Sequence, residues 1–150
     1  MGVIPQRDTL ALLGQRSETS RVQPGRNHIG RCAVAGRHFW PGDYVLKFGG
    51  RVIDRDQIDD PDWVLTIGAN RYLGPADKGD LGDEANHSCD PNTQVSVGDP
   101  DSGLVTLTAI KMIVPGDEIT YDYGHTLEPD DTWAMQCRCG SPLCRGVIRV

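Results

Sequence analysis

Three of the chain's five cysteines fall within eight residues near its end, in the run "CRCGSPLCRG" from Cys137 to Gly146. Spaced as Cys137-x-Cys139-x4-Cys144, they put three soft ligands on one short loop that Gly140 and Pro142 shape. A closed structural zinc site takes four protein ligands, thiolate or imidazole, in a tetrahedron. The fourth has to come from another segment, so the loop must be tied back to earlier chain. Two thiols remain to choose from. Cys32 lies in the apolar run "RCAVA" and reads as a small buried hydrophobe, whereas Cys89 lies in the polar loop "NHSCDPN". The expectation is a four-cysteine site of Cys89, Cys137, Cys139 and Cys144; the alternative is a set of unrelated reduced thiols. The tail has few apolar residues of its own, so bound metal would supply its folding free energy.

The body of the chain reads as β-structure. From Gly30 onward come short runs broken by Gly and Pro: 31–35, 43–48, 63–67, 93–97, 104–110 and 118–123. Several alternate with period two, which suits half-buried strands, and no long helical pattern appears. The segment "DPDSG" at 99–103 reads as a hairpin loop. Two runs begin alike, "PGDYVLKF" at 41–48 and "PGDEITYDY" at 115–123. Pro-Gly suits the centre of a type II turn, so the likeness is taken as turn chemistry and no repeat is inferred.

A chain of 150 residues suits one domain. Residues 1–25 are polar and read as an N-terminal arm, with a short helix over "TLALLGQ" at 9–15; the main domain is expected over 26–125, and a linker and tail over 126–150. Net charge is −6, which argues against binding along a phosphate backbone and is compatible with a basic partner. No apolar run reaches the roughly 18 residues of a membrane span. The start lacks signal-peptide order, and Gln6 stands where N-terminal acylation wants Ser or Thr. An odd cysteine count favours metal binding or free thiols in a reducing compartment. The expectation is a soluble intracellular protein without a membrane or nucleic-acid partner, cytoplasmic if prokaryotic and with the nucleus open to it if eukaryotic.

Two strings are dense in chemistry. "NHSCDPN" at 86–92 crowds turn formers and hydrogen-bonding groups between two strands. "EITYDYG" places Tyr121 and Tyr123 on one expected strand, where alternation would point both to the same face. Taken alone, these features suit a turn histidine and packed tyrosines.

Together, "NHSCDPN", "VPGDEITYDYG" and "CRCGSPLCRG", in this order, resemble the SET-domain family of protein lysine methyltransferases, with a post-SET zinc motif. The opening "IGRCAVAGRHFWPGDYVLKFGGRVI" is also similar, so the resemblance covers about residues 26–148. It implies a mainly β SET fold of short curved sheets with a C-terminal pseudoknot. It implies methyl transfer from S-adenosylmethionine to a lysine ε-amine of a basic protein such as a histone, leaving S-adenosylhomocysteine. By the same resemblance, Tyr123 is the catalytic tyrosine, and Tyr121 and Phe48 line the lysine channel. Tyr121 would favour monomethylation. Gly30, Arg31, Cys32, Asn86, His87 and Trp63 would contact the cofactor, and Cys89, Cys137, Cys139 and Cys144 would hold structural zinc. His87 has a competing reading as a general base. Two departures stand out. The family's Gly-x-Gly is here Gly30-Arg31-Cys32, so the backbone at Cys32 has φ < 0 or approaches the cofactor less closely. Phe48 stands where many members have a tyrosine. The alternative function is a weak or inactive SET-fold module that binds basic peptides.

Overall fold

Period-two burial builds the central sheet. In β9 (Val105–Ala109), Val105, Leu107 and Ala109 are buried and the two threonines between them are half-buried. β8 (Thr93–Val97) pairs with it as a hairpin, closed by a 3-10 turn over Pro100–Ser102 and by Gly103 at φ +70°. β3 (Tyr44–Lys47) pairs on the other edge, giving the order β3-β9-β8. A register shift between Tyr44 and Leu46 accompanies the burial of both Val45 and Leu46. The computed structural model describes residues 21–60, 64–75, 80–126 and 134–149. The helix expected over 9–15, and Trp63, lie outside the described residues.

A second sheet holds β1 (Val22–Arg26), β2 (Arg31–Ala35), β10 (Glu118–Tyr121) and β7 (Asn86–His87), in the order β1-β2-β10-β7. The expected arm is corrected here: residues 22–25 are paired strand, and Val22 is fully buried. Pro24 is tolerated because β1 is an edge strand, where a missing N–H costs no ladder bond. Gly25 lies opposite Cys32, and a Cβ on it would sit 2.5 Å from the Val34 side chain and 3.3 Å from the Cys32 sulfur. Bare backbone on β1 therefore makes room for the thiol. Asn86–His87, read from sequence as a turn, is a short strand running parallel to β10.

The two Pro-Gly-Asp runs are equivalent corners. Gly42 and Gly116 have φ of +95° and +94°. Asp43 N–H donates to Trp40 O at 2.9 Å, and Asp117 N–H to Val114 O at 3.0 Å. Their relation goes beyond turn chemistry, which corrects the reading without a repeat. Phe39 and Ile113 exchange two backbone bonds, and each corner's glycine donates to the alanine that ends the other unit's strand, Gly42 to Ala109 and Gly116 to Ala35. The corners thus lock β2–β3 against β9–β10 as a pseudo-symmetric pair. Phe39, Leu46, Leu107, Ile113 and Ile119 fill the core between them.

A third sheet, β4 (Val52–Ile53), β6 (Arg71–Leu73) and β5 (Leu65–Gly68), is ordered β4-β6-β5. The tail forms a hairpin of β11 (Met135–Gln136) and β12 (Val147–Ile148). β10 is enclosed by chain laid down earlier: β2 and β7 flank it, while Asn92 and Thr93 side chains bond its backbone. No helix among the described residues is long and apolar enough to cross a membrane.

One close approach tests this packing. A Cβ on Gly50 would lie 1.9 Å from Gly74 O, whereas on Gly116 it would meet nothing within 4 Å. We expect Gly50→Ala to lose about 2–4 kcal/mol, as overpacked sites do. Gly116→Ala carries only its left-handed φ and should lose about 1–2 kcal/mol. Urea unfolding checks the order, and equal losses would contradict the packing.

Candidate active site and thiol cluster

Tyr121 ends β10, and Tyr123 begins a 3-10 turn over Tyr123–Thr126. The expectation that both point from one strand face is therefore corrected, because the strand stops between them. The turn still brings the rings together, with centroids 4.8 Å apart. Phe48 meets Tyr121 edge-on at 5.7 Å, and the His87 ring meets Tyr123 at 5.4 Å. Tyr123 Oη donates to Ala85 O at 2.9 Å, which fixes its ring. The Tyr121 side chain is buried, and its hydroxyl makes no hydrogen bond among the described residues. Burial lifts both phenols well above their ordinary value, so both are neutral donors at pH 7. Gly82 was not foreseen. In the short helix Leu81–Glu84, a Cβ there would lie 2.7 Å from the Phe48 ring, so its absence lets the helix rest on that ring.

The loop at 86–93 is bonded residue by residue. Asn86 Nδ2 donates to Arg31 O at 2.9 Å and to a Glu118 carboxylate oxygen at 3.3 Å, leaving its own amide oxygen free among the described residues. His87 Nδ1 accepts from Tyr123 N–H at 3.1 Å, which puts the ring proton on Nε2, 3.3 Å from Cys89 Sγ. Burial holds this imidazole below its ordinary pKa, against the pull of Asp122. With both nitrogens committed, the ring has none left to act as a base. Asn92, a further residue the sequence reading did not single out, donates to Glu118 O at 2.8 Å and accepts from Thr120 N–H at 3.0 Å. Its amide substitutes for a missing strand beside β10.

Gly30 has φ +141°, and a Cβ there would meet nothing within 4 Å, so the backbone lies open. Cys32 is buried, and its φ is not positive. That resolves the Gly-x-Cys departure: only the first position needs glycine, and the thiol turns inward against β1. Of the cofactor residues expected from sequence, Gly30, Arg31 and Asn86 share one corner. The Cys32 thiol is buried on the Val34–Glu118 face of the sheet, against Gly25 of β1.

Cys89, Cys137, Cys139 and Cys144 present sulfurs that all lie within 4.8 Å of one another. Tetrahedral zinc–thiolate geometry, with bonds of about 2.3 Å, calls for sulfurs roughly 3.8 Å apart, and the Cys89–Cys137 pair stands at 3.7 Å. Arg145 N–H donates to Cys89 Sγ and Gly146 N–H to Cys144 Sγ, each at 3.4 Å. Burial pushes Cys137 up to about 12. At Cys139 burial acts the same way, but N–H groups of Cys89 and Ser141 outweigh it and draw the thiol down to about 6. Such a donor set suits a soft cation. Two further contacts dock the loop: Arg145 reaches buried Asp122 at 3.0 Å, and the His28 ring donates to Arg138 O at 2.7 Å. Neither was legible from spacing, since both join residues far apart in the chain.

The SET domain family matches residues 30–124, more than half of the sequence. The chain belongs to this family. The SET domain here is 29% identical over 120 residues to "Histone-lysine N-methyltransferase Set2" of Drosophila melanogaster, covering 72% of this chain and 5% of that protein. It is 27% identical to "Probable histone-lysine N-methyltransferase set-23" of Caenorhabditis elegans, covering 74% of this chain and 52% of that one. The chain thus spans about half or less of these relatives' length. Its fold resembles KRYPTONITE solved with mCHG DNA and SAH, at TM-score 0.69 and 25% identity over 85% of this chain and 28% of that one. A second KRYPTONITE structure, with mCHH DNA, H3(1-15) peptide and SAH, gives TM-score 0.68 at 24% identity, again over 85% of this chain but 29% of that one. The DNA belongs to those complexes; the expectation of no nucleic-acid contact here rests only on the net charge of −6.

Asp122 is the junction between the Tyr123–Thr126 turn and the tail, accepting from Gly124 N–H at 2.9 Å as well as from Arg145. Asp122→Ala leaves both donors without this acceptor and should lose about 2–3 kcal/mol, whereas Asp122→Asn keeps an acceptor and should lose less. Chemical denaturation of the two variants orders them, and the reverse order would contradict the junction.

Proposed function

We propose that this SET domain is a protein lysine N-methyltransferase that modifies a lysine ε-amine on a basic protein, with histones as the leading substrate class. The observation that carries the reading is the clustering of Tyr121, Tyr123 and Phe48 beside the Asn86–His87 loop. The relatives' names and the acidic charge support the substrate class. Reduced thiols support an intracellular setting.

A lysine with pKa near 10.4 must lose a proton before its nitrogen can attack carbon, which costs about 4.6 kcal/mol at pH 7. A buried aromatic pocket lowers that cost by disfavouring the ammonium form, while ring faces still tolerate cationic character. The Tyr121 hydroxyl is the group we assign to the amine, and its presence in the channel supports monomethylation. Tyr123, fixed by Ala85 and His87, holds one side of the reacting centre. Positioning carries much of the rate in such a displacement.

S-adenosylmethionine, when bound, supplies the methyl group on a sulfonium centre. The residues at hand fit it: Gly30 offers open backbone, Asn86 a free amide oxygen, and the aromatic rings a wall for a cation. Zinc is the metal we assign to Cys89, Cys137, Cys139 and Cys144, in a closed structural role that leaves no open coordination position.

The test is transfer of labelled methyl groups from S-adenosylmethionine to core histones and to unrelated basic proteins. Wild type should label lysine. Tyr123→Phe should lose about a hundredfold or more in rate, and each should carry one zinc per chain. Full activity of Tyr123→Phe would remove the tyrosine from its role. A zinc-loaded wild type that binds S-adenosylhomocysteine and peptide but never transfers would favour the inactive binding module.

A further inference from the structure

The two Pro-Gly-Asp corners leave one face of the protein apolar. Phe39 and Ile113 are fully buried and exchange two backbone bonds, so alternation turns the residues beside them outward, Trp40 opposite Met112 and His38 opposite Val114. Trp40 is 59% exposed and Met112 54%, more than any other large apolar side chain outside the tail among the described residues. Tyr44, Ile110 and Val114, on the same two runs, are exposed as well. Single exposed apolar residues are ordinary, but five on adjoining runs mark an interaction surface.

Arg21, where the described chain begins, stands at the rim of this face. Its carbonyl accepts from Gly36 N–H at 2.8 Å, next to Ala35, whose carbonyl accepts from Gly116 of the second corner. Its guanidinium lies over the Tyr44 ring of the first corner, 4.9 Å from the centroid. The twenty residues before it include the apolar run Leu10-Ala11-Leu12-Leu13. We propose that this N-terminal segment is the occupant of the corner face, with its leucines covering Trp40 and Met112. Leu13 stands eight residues before Arg21, a tether of up to about 26 Å, which gives the leucines reach across both corners. A segment so tethered meets the face at an effective concentration of about millimolar, an advantage that a free partner lacks. Its charged side chains, Arg7 and Arg16 against Asp8 and Glu18, cancel, whereas a second copy would bring a net charge of −6 against its own kind. The contact is separate from methyl transfer, and neither reading depends on the other.

Photo-crosslinking of the full chain, with p-benzoylphenylalanine in place of Leu12, tests this contact. The crosslinked product should be a single chain, its yield independent of protein concentration, and mass spectrometry should place the linkage at residues 39–44 or 110–114. The mapping is made with both corners intact, so it does not depend on a variant folding. Trp40→Asp with Met112→Asp, at exposed positions, should lower the yield about fivefold or more, since an aromatic anchor carries much of such a contact. Linkage that forms only between two chains and rises with concentration overturns the proposal in favour of a second copy. Linkage confined to other surfaces, or none, overturns it outright.

Discussion

Strand β10 is the element on which everything else hangs. It arrives after the rest of the core has been laid down and has to fit between β2 and β7. Its backbone polar groups cannot be left dry without cost, so each must find a partner in a space already bounded. β2 and β7 supply part of that, and the side chains of Asn92 and Thr93 supply the rest, acting as strand surrogates where the loop is too irregular to pair. The loop therefore cannot settle until β10 is in place, nor β10 without the loop. That mutual dependence delivers Tyr121 and Tyr123 to the Asn86–His87 corner, and it is why the chemistry concentrates there.

The same loop is held from its other side by sulfur. Cys89 joins the three tail thiols, and the His87 ring spans the gap, with Nε2 towards Cys89 and Nδ1 on the Tyr123 backbone. Arg145 and Asp122 form a second strut between tail and turn. Apolar burial alone would hold the tail weakly, since Ile148 and Cys137 are its buried apolar residues among those described. The thiol cluster is thus the tail's main anchorage, and whatever orders it also steadies Tyr123.

Much of this was legible in the sequence because the signals were local or chemically exclusive. Strands 31–35 and 93–97 emerge at their expected bounds, since alternation and flanking turns define them without tertiary help. The four-thiol cluster followed from counting soft ligands. β1 did not, because Pro24 and Gly25 carry turn chemistry, and their tolerance depends on an edge position and on Cys32 opposite. The end of β10 before Tyr123 depends on what His87 accepts, and Asn86–His87 becomes strand only because β10 lies beside it. The corners' symmetry likewise depends on bonds such as Gly42 to Ala109, between residues remote in sequence. Pair-dependent features of this kind leave no single-residue trace.

The central claim is that the tail thiols and the Asn86–His87 loop form one unit, so that the pocket exists only when the cluster is bound. The most direct measurement is S-adenosylhomocysteine affinity followed while a chelator strips metal from the intact chain. The account predicts that affinity and metal content fall together and that both return on adding zinc. Full affinity in the metal-free protein would contradict it, leaving the thiols as bystanders to the site.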